Sequence, residues 1–306
     1  PKILVTASSN ANTPSGSSTD PGFKIQSHSS SSIAVSPDGT LVVAVNPDSD
    51  SVTLIDAITL ESLVEISVGG NPRTVSITPD SRNALITNYD SATLSVIDLK
   101  QGKQIAQYGV AQMPYGVVTN GIHGFITEFG TDSVSVIDLD SGKLLTRIEV
   151  DPFPAGIALS QHAEKLLITH FFTGKITVID VSTRTIIGTV STGSDTNLSQ
   201  FIVIGHEGEK AYIPQTRSNT TNVALLFDDS VFPIVNVLDI DELQLVAKNR
   251  ITLDTADKPV NMPFSVALSP AEGILYVANA GSDNVSVIDL RTNRAVANLM
   301  VGSNPR

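Results

Sequence analysis

One short pattern recurs along the chain and limits its fold more than any other feature. Successive segments end in an apolar, strand-like run followed by aspartate, at Asp56, Asp98, Asp138, Asp180, Asp239 and Asp289. Neighbouring aspartates in this series lie 42, 40, 42, 59 and 50 residues apart. The first three spacings define the repeat, and the last two are the same unit with insertions. A repeat of this length predicts an array of small structural units that stack on one another.

Each unit predicts four β-strands. In residues 263–301, four runs of alternating or mostly apolar residues are separated by turns rich in Gly, Pro, Asn and Asp. β-Branched residues and a period of two favour strands over helices. Four antiparallel strands per repeat, packed face to face around an axis, make an all-β propeller of four-stranded antiparallel blades. The absence of Trp argues against a WD40 propeller.

The last complete unit resembles a known repeat. Residues 275–305 read LYVANAGSDNVSVIDLRTNRAVANLMVGSNP, and LVVAVNPDSDSVTLID, ALITNYDSATLSVID and FITEFGTDSVSVID repeat the pattern earlier in the chain. These segments resemble the YVTN family of propellers. The resemblance implies an exported or surface-exposed propeller, usually of seven blades, and says little about chemistry. Similar propellers bind partners, accompany redox enzymes or are fused to cytochrome domains, and related ones include lactonases and a streptogramin lyase.

The repeats organise residues 1–306 as one propeller domain. Residues 33–302 hold six complete blades, whereas residues 1–32 are expected to contain part of a blade and a Ser/Thr-rich loop. The sequence of residues 303–306 resembles the segment that ends at Arg73 and leads into an inner strand. We therefore expect residues 303–306 to begin a truncated further blade. The sequence thus predicts a seven-bladed propeller with an incomplete seventh blade.

Composition excludes several classes of function. The formal net charge is -12, whereas phosphate recognition needs clustered Lys and Arg, so no nucleic-acid partner is expected. There is no cysteine, which removes thiolate metal sites and covalent haem attachment, and we expect no cofactor in this chain. No apolar run approaches the roughly 18 residues of a membrane span. The chain begins at Pro1, which we interpret as processing or excision from a longer precursor. The resemblance to YVTN propellers implies an extracytoplasmic location.

A first group of candidate site residues lies at the end of the second strand of each blade. The aligned residues are Asn46, Asn88, Glu128, His170, Gln215 and Asn279. Asn is the rule there and is expected to bond turn backbone. Glu128, His170 and Gln215 break the rule on consecutive blades, and a carboxylate beside an imidazole can bind a cation or move a proton. Sequence drift or a structural hydrogen bond is the alternative.

A second group lies in loops on the same face of the propeller, here called the top face. Arg73 and Tyr115 occupy equivalent positions where a loop enters an inner strand. Arg can clamp a carboxylate and Tyr can stack on a ligand; a water-filled polar funnel is the alternative. The long loop 216–232, which contains Arg217, is predicted to cap this face or to dock a neighbouring domain.

No metal site is expected. His123, His162 and His206 fall on turns of different blades, too far apart to ligate one ion. Asp228 and Asp229 lack the ligand spacing of an EF-hand. The aspartate that closes every third strand is predicted to accept turn amides, because a residue repeated in every blade does not mark a single active site.

Three functions therefore compete. The first is a non-catalytic binding or scaffold propeller with a protein partner or an adjoining domain. The second is a module of a cytochrome-linked oxidoreductase whose haem domain lies elsewhere. The third is an enzyme of the lactonase or lyase type, which requires Glu128 and His170 to converge with one further ligand at the channel mouth.

Overall fold

The fold is known from a computed structural model, which describes residues 29–305 except residues 161, 163, 206, 219–230 and 270–272. Some sequence predictions fall outside the described residues. These are the part of the incomplete blade before residue 29, His206, most of the loop 216–232 with Asp228 and Asp229, and Arg306.

The described residues form six antiparallel sheets, one for each predicted repeat, arranged as the blades of a propeller. Blade 1 contains β1 (Ile33–Val35), β2 (Leu41–Asn46), β3 (Ser51–Asp56) and β4 (Ser62–Ser67). Blade 2 contains β5 (Pro72–Ile77), β6 (Asn83–Asn88), β7 (Thr93–Asp98) and β8 (Lys103–Gly109). Blade 3 contains β9 (Pro114–Thr119), β10 (His123–Glu128), β11 (Ser133–Asp138) and β12 (Leu144–Glu149). Blade 4 contains β13 (Pro154–Leu159), β14 (Lys165–His170), β15 (Lys175–Asp180) and β16 (Thr185–Ser191). Blade 5 contains β17 (Thr196–Asn197), β18 (Val203–Ile204), β19 (Lys210–Ser218), β20 (Val231–Asp239), β21 (Gln244–Leu245) and β22 (Ile251–Thr252). Blade 6 contains β23 (Pro263–Leu268), β24 (Ile274–Asn279), β25 (Asn284–Asp289) and β26 (Arg294–Met300).

Blade 5 keeps the four-strand plan although its sheet has six strands. β17 and β18 both pair with β19, so they are two halves of an interrupted inner strand. β21 and β22 likewise both pair with β20 and share the place of the outer strand. Short 3₁₀ turns at Ala247–Asn249 and Leu253–Thr255 accompany this interruption. The insertions predicted from the wider aspartate spacings therefore lie in blade 5, within an unchanged blade topology.

Burial explains why the inner three strands of a blade read as nearly continuous apolar runs. In blade 3 the inner strand β9 is buried along its whole length, because both faces of the blade pack on neighbouring blades. The outer strand β8 of blade 2 instead alternates between exposed and half-buried residues, the pattern of a strand with one solvated face. The core thus consists of layers between blades.

Five hydrophobic clusters fill the five interfaces between consecutive blades. Blades 1 and 2 share the first cluster, in which Val43 and Leu54 pack with Val75 and Ile86. The other four clusters join blades 2 and 3, 3 and 4, 4 and 5, and 5 and 6. Among the described residues no such cluster joins blade 6 to blade 1; we call this place the seam.

Threonine hydroxyls add hydrogen bonds between blades close to the axis. Thr87 donates to the Tyr115 carbonyl at 2.7 Å, Thr127 to the Ala155 carbonyl at 2.6 Å and Thr169 to the Ser199 carbonyl at 2.8 Å. Each hydroxyl sits at the second-last residue of a second strand, so one sequence position ties three successive blade pairs together.

The segment before β1 enters the central channel. The Ser30 amide donates to the Ile157 carbonyl of blade 4 at 2.8 Å, and the Val75 amide of blade 2 donates to the Ser31 carbonyl at 2.8 Å. Ser30 is buried between these inner strands. Backbone of this chain therefore fills part of the channel that lies beneath the top face.

The repeated aspartates are structural, as predicted. Asp180 accepts the Thr183 amide at 2.8 Å, and Asp56 accepts the Thr59 amide at 2.8 Å. Hydrogen bonds from Ser182 and Thr183 lower the pKa of Asp180 to about 2. The same kind of turn bond lowers the pKa of the carboxyls in other blades, namely Asp56, Asp98, Asp138 and Asp289.

Candidate binding surface

The top face is built from two kinds of loop that are bonded to each other. The loop after the second strand of a blade lies against the loop that enters the first strand. The Tyr89 amide donates to the Asn71 carbonyl at 3.1 Å, and the Phe171 amide donates to the Phe153 carbonyl at 3.0 Å. The same backbone bond recurs in other blades, so the two loops lie side by side on the top face, as the sequence predicts.

One residue in each of the loops that enter blades 2 to 6, and one in the turn after blade 6, has a left-handed backbone. The residues are Asn71 (φ 53°), Met113 (φ 55°), Phe153 (φ 58°), Leu198 (φ 60°), Met262 (φ 52°) and Asn304 (φ 55°). Asn tolerates this conformation, whereas a bulky apolar residue is an outlier there. Aspartates of the preceding blade hold three of these turns: Asp50 accepts the Asn71 amide, Asp132 the Phe153 amide and Asp283 the Asn304 amide.

Aromatic rings form a continuous cluster across the top face, which we call the aromatic cluster. Its members in the described residues are Tyr89, Tyr115, Phe129, Phe153, Phe171, Phe172, Phe201 and Phe264. Phe129 and Phe153 have centroids 5.3 Å apart, and Phe171 and Phe172 are 4.6 Å apart. The cluster reaches from blade 2 to blade 6.

Tyr115 and Phe172 show the two environments within the cluster. Tyr115 is buried and donates its hydroxyl to Oε1 of Gln200 in blade 5 at 2.7 Å, so it crosses above the channel. Phe172 is 56 % exposed, and Phe153 beside it is 39 % exposed. Met113 and Met262, from the left-handed positions, are 43 % and 46 % exposed. The cluster is thus packed at its base and apolar at its surface.

Arg73 joins the edge of the aromatic cluster. Its guanidinium carbon lies 4.7 Å from the ring centroid of Tyr89 and 5.9 Å from that of Tyr115, within range of a cation–π interaction. Nε of Arg73 is buried without a hydrogen-bond partner. Arg73 and Tyr115, both predicted from their loop position, therefore do lie together, and Arg73 keeps one donor unused.

The predicted residues at the ends of the second strands point into the blades. Asn88 donates to Thr93 at 3.0 Å and to Ser95 at 2.9 Å, and Asn279 makes the corresponding bonds to Asn284 and Ser286. The position therefore links the second strand to the third through a side-chain amide. Glu128, His170 and Gln215 occupy the same place and are fully buried.

Glu128 replaces the amide with a carboxylate that accepts four hydrogen bonds. The donors are Ser133 (2.7 Å), Ser135 (2.6 Å), the Ala111 amide (2.8 Å) and Nε of Arg147 (2.9 Å). Arg147 belongs to the outer strand β12 and is partly exposed, so it neutralises a buried charge from the solvent side. Both carboxylate oxygens are engaged by the blade itself.

His170 and Gln215 are also held by their own surroundings. Nδ1 of His170 lies 3.1 Å from the Pro152 carbonyl, which only accepts, so Nδ1 carries the proton and Nε2 accepts from Thr177 at 2.8 Å. Burial lowers the pKa of His170 below its usual 6.5. Gln215 donates to Thr192 and Ser199 and accepts from Asn236. Arg217, in contrast, is exposed and pairs with Asp195.

The structure therefore brings together two of the six predicted site residues, Arg73 and Tyr115. Whether any of the six binds a ligand stays a prediction. Sequence reasoning missed Arg147 and most of the aromatic cluster. A signal existed for part of the cluster, since Tyr89, Phe129 and Phe171 directly follow the aligned residues at the ends of the second strands.

Two further features bear on function. Within the described residues, no group of three or more His, Cys, Asp or Glu side chains is placed to hold a metal ion. In the same residues, no helix has the length and apolar character needed to cross a membrane.

Comparison with known proteins identifies β-propellers. Hydrazine synthase of Kuenenia stuttgartiensis superposes with a TM-score of 0.81 at 19% identity, covering 89% of this chain and 87% of that chain. Dihydro-heme d1 dehydrogenase NirN, in complex with DHE, superposes with a TM-score of 0.61 at 16% identity, covering 90% of this chain and 57% of that chain. No protein-family model and no curated protein matches the chain. At these identities the likeness establishes the fold.

Proposed function

We propose that this chain is a non-catalytic, extracytoplasmic binding or scaffold propeller that docks a protein partner on its top face. The observation that carries the proposal is the exposed part of the aromatic cluster together with Met113 and Met262. Exposed apolar side chains that are contiguous mark interaction surfaces more often than scattered ones do. The extracytoplasmic location rests on the resemblance to YVTN propellers.

The apolar residues with a left-handed backbone support a functional role for the top face. A bulky residue in this backbone conformation costs about 1–2 kcal/mol, and the repeat already uses Asn at Asn71 and Asn304. Met113, Phe153 and Met262 therefore combine backbone strain with exposed apolar area. Strain of this kind persists where function requires it. Binding of a partner supplies that requirement, because it would bury these side chains.

Charge favours a particular partner chemistry. Asp50, Asp90, Asp132 and Asp283 lie on the top loops, and none of the four forms an ion pair within the described part of the chain. The whole chain carries a net charge of -12. A partner with a complementary surface would have apolar side chains at the centre of that surface and Lys or Arg around them.

A non-catalytic role is supported by the state of the candidate catalytic groups. Glu128 and His170 lie inside their blades, and all their polar side-chain atoms have partners there. A lactonase-type site would need them at the channel mouth with a third ligand. The described residues offer no such group of ligands.

The experiment uses a basic amphipathic peptide, with Leu and Phe on one face and Lys on the other, as the probe. Its affinity is measured by calorimetry for the whole chain and for Met113→Asn/Met262→Asn and Phe172→Ser variants. We expect about tenfold weaker binding for each, with stability unchanged or higher for the Asn pair. Ile186→Asn, on the exposed outer strand of blade 4, is the matched control. Equal affinity for all four proteins would show that the top face is not the binding surface.

A second candidate is a module of a cytochrome-linked oxidoreductase. It is favoured by the structural likeness to dihydro-heme d1 dehydrogenase NirN. In this case the partner on the top face bears a haem. A basic c-type cytochrome and lysozyme, which is basic but carries no haem, are compared as probes. Salt-resistant binding of the cytochrome alone favours the second candidate, and equal, salt-sensitive binding of both rejects it.

A further inference from the structure

A cavity opens between blades 5 and 6 at the bottom face of the propeller, the end opposite the top face. Its volume is about 360 Å³, which is within the range of small-molecule sites in proteins. Blade 5 lines it with the turn before β19 and the start of that strand, and blade 6 lines it with the turns after β23 and β25. The side chains that line it are Glu207, Lys210, Tyr212, Leu268, Leu290 and Arg291. The cavity therefore offers charged, phenolic and apolar groups to one ligand.

The equivalent place between blades 4 and 5 holds an ion pair. Lys165 of blade 4 donates to the Ile240 carbonyl and to Oδ1 of Asp241 in blade 5, both at 3.1 Å. Lys210 has the place of Lys165 at the start of the second strand. Arg291 has the place of Asp241, two residues after the aspartate that closes the third strand. Between blades 5 and 6 the acidic partner is therefore replaced by a second cation.

The charged groups of the cavity retain unused hydrogen-bonding capacity. Within the described part of the chain, neither Lys210 nor Glu207 forms an ion pair. Arg291 bonds Asp289 through Nε at 3.2 Å and Nη2 at 3.0 Å, and its Nη1 has no partner among the same residues. Two positive charges that border one cavity repel each other, and a carboxylate bound between them relieves this repulsion and accepts from both.

Tyr212 supplies a further donor that the packing of the blades does not require. The residue is 8 % exposed, and its ring packs in the hydrophobic cluster between blades 5 and 6, while its hydroxyl forms no hydrogen bond with the described residues. Burial, and to a smaller extent Glu207, raises the pKa of Tyr212, so the hydroxyl keeps its proton and is free to donate to a ligand. The equivalent residues of blades 2, 3 and 4 have no polar side-chain atom; they are Leu85, Phe125 and Leu167.

Gly205 keeps the wall beside this ring open. In four other blades the equivalent residue carries a hydroxyl group: Ser36, Thr78, Ser160 and Ser269. A Cβ atom at Gly205 would lie 3.5 Å from Cε2 of Tyr212, so the hydroxyl residue of the repeat would stand against the ring at the cavity wall. The departure of blade 5 from its own repeat therefore enlarges the space beside Tyr212.

We propose that this cavity binds a small molecule that carries a carboxylate on a compact apolar body, either an apolar amino acid or the corresponding acid without the amino group. The carboxylate accepts from Lys210, Nη1 of Arg291 and the Tyr212 hydroxyl. The apolar body packs on Leu268 and Leu290, which border the hydrophobic cluster between blades 5 and 6. The site lies at the opposite end of the propeller from the aromatic cluster, so it is independent of the partner proposed for the top face.

The experiment titrates three probes that share a phenyl ring into the 306-residue chain and measures their affinity by calorimetry. 3-Phenylpropionate carries only a carboxylate, L-phenylalanine carries a carboxylate and an ammonium group, and phenethylamine carries only an ammonium group. We expect the first two to bind and phenethylamine not to bind. Tighter binding of L-phenylalanine assigns an amino acid as the ligand class, with Glu207 as the partner of its ammonium group. Tighter binding of 3-phenylpropionate assigns the acid without the amino group.

Four variants locate the site. Lys210→Gln should weaken the binding of 3-phenylpropionate about tenfold or more, because a charge-assisted hydrogen bond is lost. Arg291→Asp recreates the pair of Lys165 with Asp241, so it should fold as the wild type does and abolish binding. Tyr212→Phe, which keeps the ring, should weaken binding several-fold. Lys165→Gln is the matched control and should leave binding unchanged, since Asp241 already engages that cation.

Three outcomes overturn the proposal. The first is that neither acid binds at millimolar concentration, and the second is that phenethylamine binds as tightly as 3-phenylpropionate. The third is that Lys210→Gln and Lys165→Gln weaken binding equally. Thermal melting is measured for each variant. If Arg291→Asp melts earlier than the wild type, Lys210→Gln and Tyr212→Phe decide the outcome, because both leave the bonds between Arg291 and Asp289 intact.

Discussion

The interface between blades 1 and 2 and the seam between blades 6 and 1 are built from equivalent residues but differ in burial. Val75 in the closed interface is fully buried, whereas its equivalent Ile33 is half exposed. Since both residues occupy the same strand position and both are β-branched, sequence pattern alone does not decide burial in a repeat protein. The presence of a neighbouring blade decides it, as expected when stability is the sum of units and their interfaces.

The largest expected effect separates the two regions by mutation. Leu85→Ala removes a fully buried side chain from the interface between blades 2 and 3 and should lower the free energy of unfolding by about 2–5 kcal/mol. Tyr276→Ala, at the equivalent seam position, should lower it by less than about 1 kcal/mol. Chemical denaturation of both variants measures the difference. Equal losses would mean that the seam is closed in solution.

A second prediction compares a buried charge in blade 3 with a neutral polar side chain at the equivalent place in blade 6. Arg147→Met leaves Glu128 buried without its counter-charge, and we expect a loss of about 1–3 kcal/mol, because Arg147 is partly exposed and the other hydrogen bonds to Glu128 remain. Adding Glu128→Gln should restore most of it, because Gln already occupies this place as Gln215. Asn298→Met, at the equivalent outer-strand position of blade 6, removes a neutral side chain that donates to Asp257 and to the Lys258 carbonyl; it is the matched control and should cost less, because it leaves no buried charge without a counter-charge. Denaturation of the three variants checks this, and failure of Gln to rescue would show that the charge itself is not the source of the loss.

Much of the fold was predictable because the repeat encodes it locally. The period of two, the turn residues and the closing aspartate predict the strands of blade 6, and β23 to β26 lie where the sequence places them. Asp289 bonds its turn, as expected from its repetition. These features depend on neighbours in sequence, so a sequence pattern carries them.

The candidate site was predicted less well because it depends on which way side chains point. Sheet faces in a propeller are covered by neighbouring blades, so residues in the second strand, such as Glu128 and His170, are buried and bonded within their blades. Loop residues one position later, such as Phe129 and Phe171, reach the top face instead. The exposed apolar surface also needs the left-handed turn at Phe153, which no local signal in the sequence predicts for Phe.

A third prediction concerns pH and a closed blade. Burial depresses the pKa of His170 below 6.5, so the unfolded chain binds a proton before the folded chain does as the pH falls. His170 therefore contributes stability above pH 6.5, and this contribution is lost as the pH falls through the depressed folded pKa. Unfolding free energies of the wild type and of His170→Asn, measured from pH 7.5 to 5, should differ in slope below pH 6.5. Parallel curves would show that His170 is protonated equally in both states.

The smallest expected loss of stability should be equal in a closed blade and in a blade beside the seam. Asp138 lies in a closed blade and Asp289 in a blade beside the seam, and turn hydrogen bonds lower the pKa of both. A carboxyl with a depressed folded pKa stabilises the fold above its unfolded value near 3.8, and this stabilisation disappears as the pH falls through the folded pKa. Asp138→Asn and Asp289→Asn should therefore cause small and equal losses at pH 7, measured by denaturation, and both losses should vanish toward pH 2. The bonds lie within one turn, so the open face of blade 6 has no means of weakening them. A smaller loss for Asp289→Asn would show that the seam loosens blade 6 as far as its outer turns, and that openness reaches beyond the exposed face.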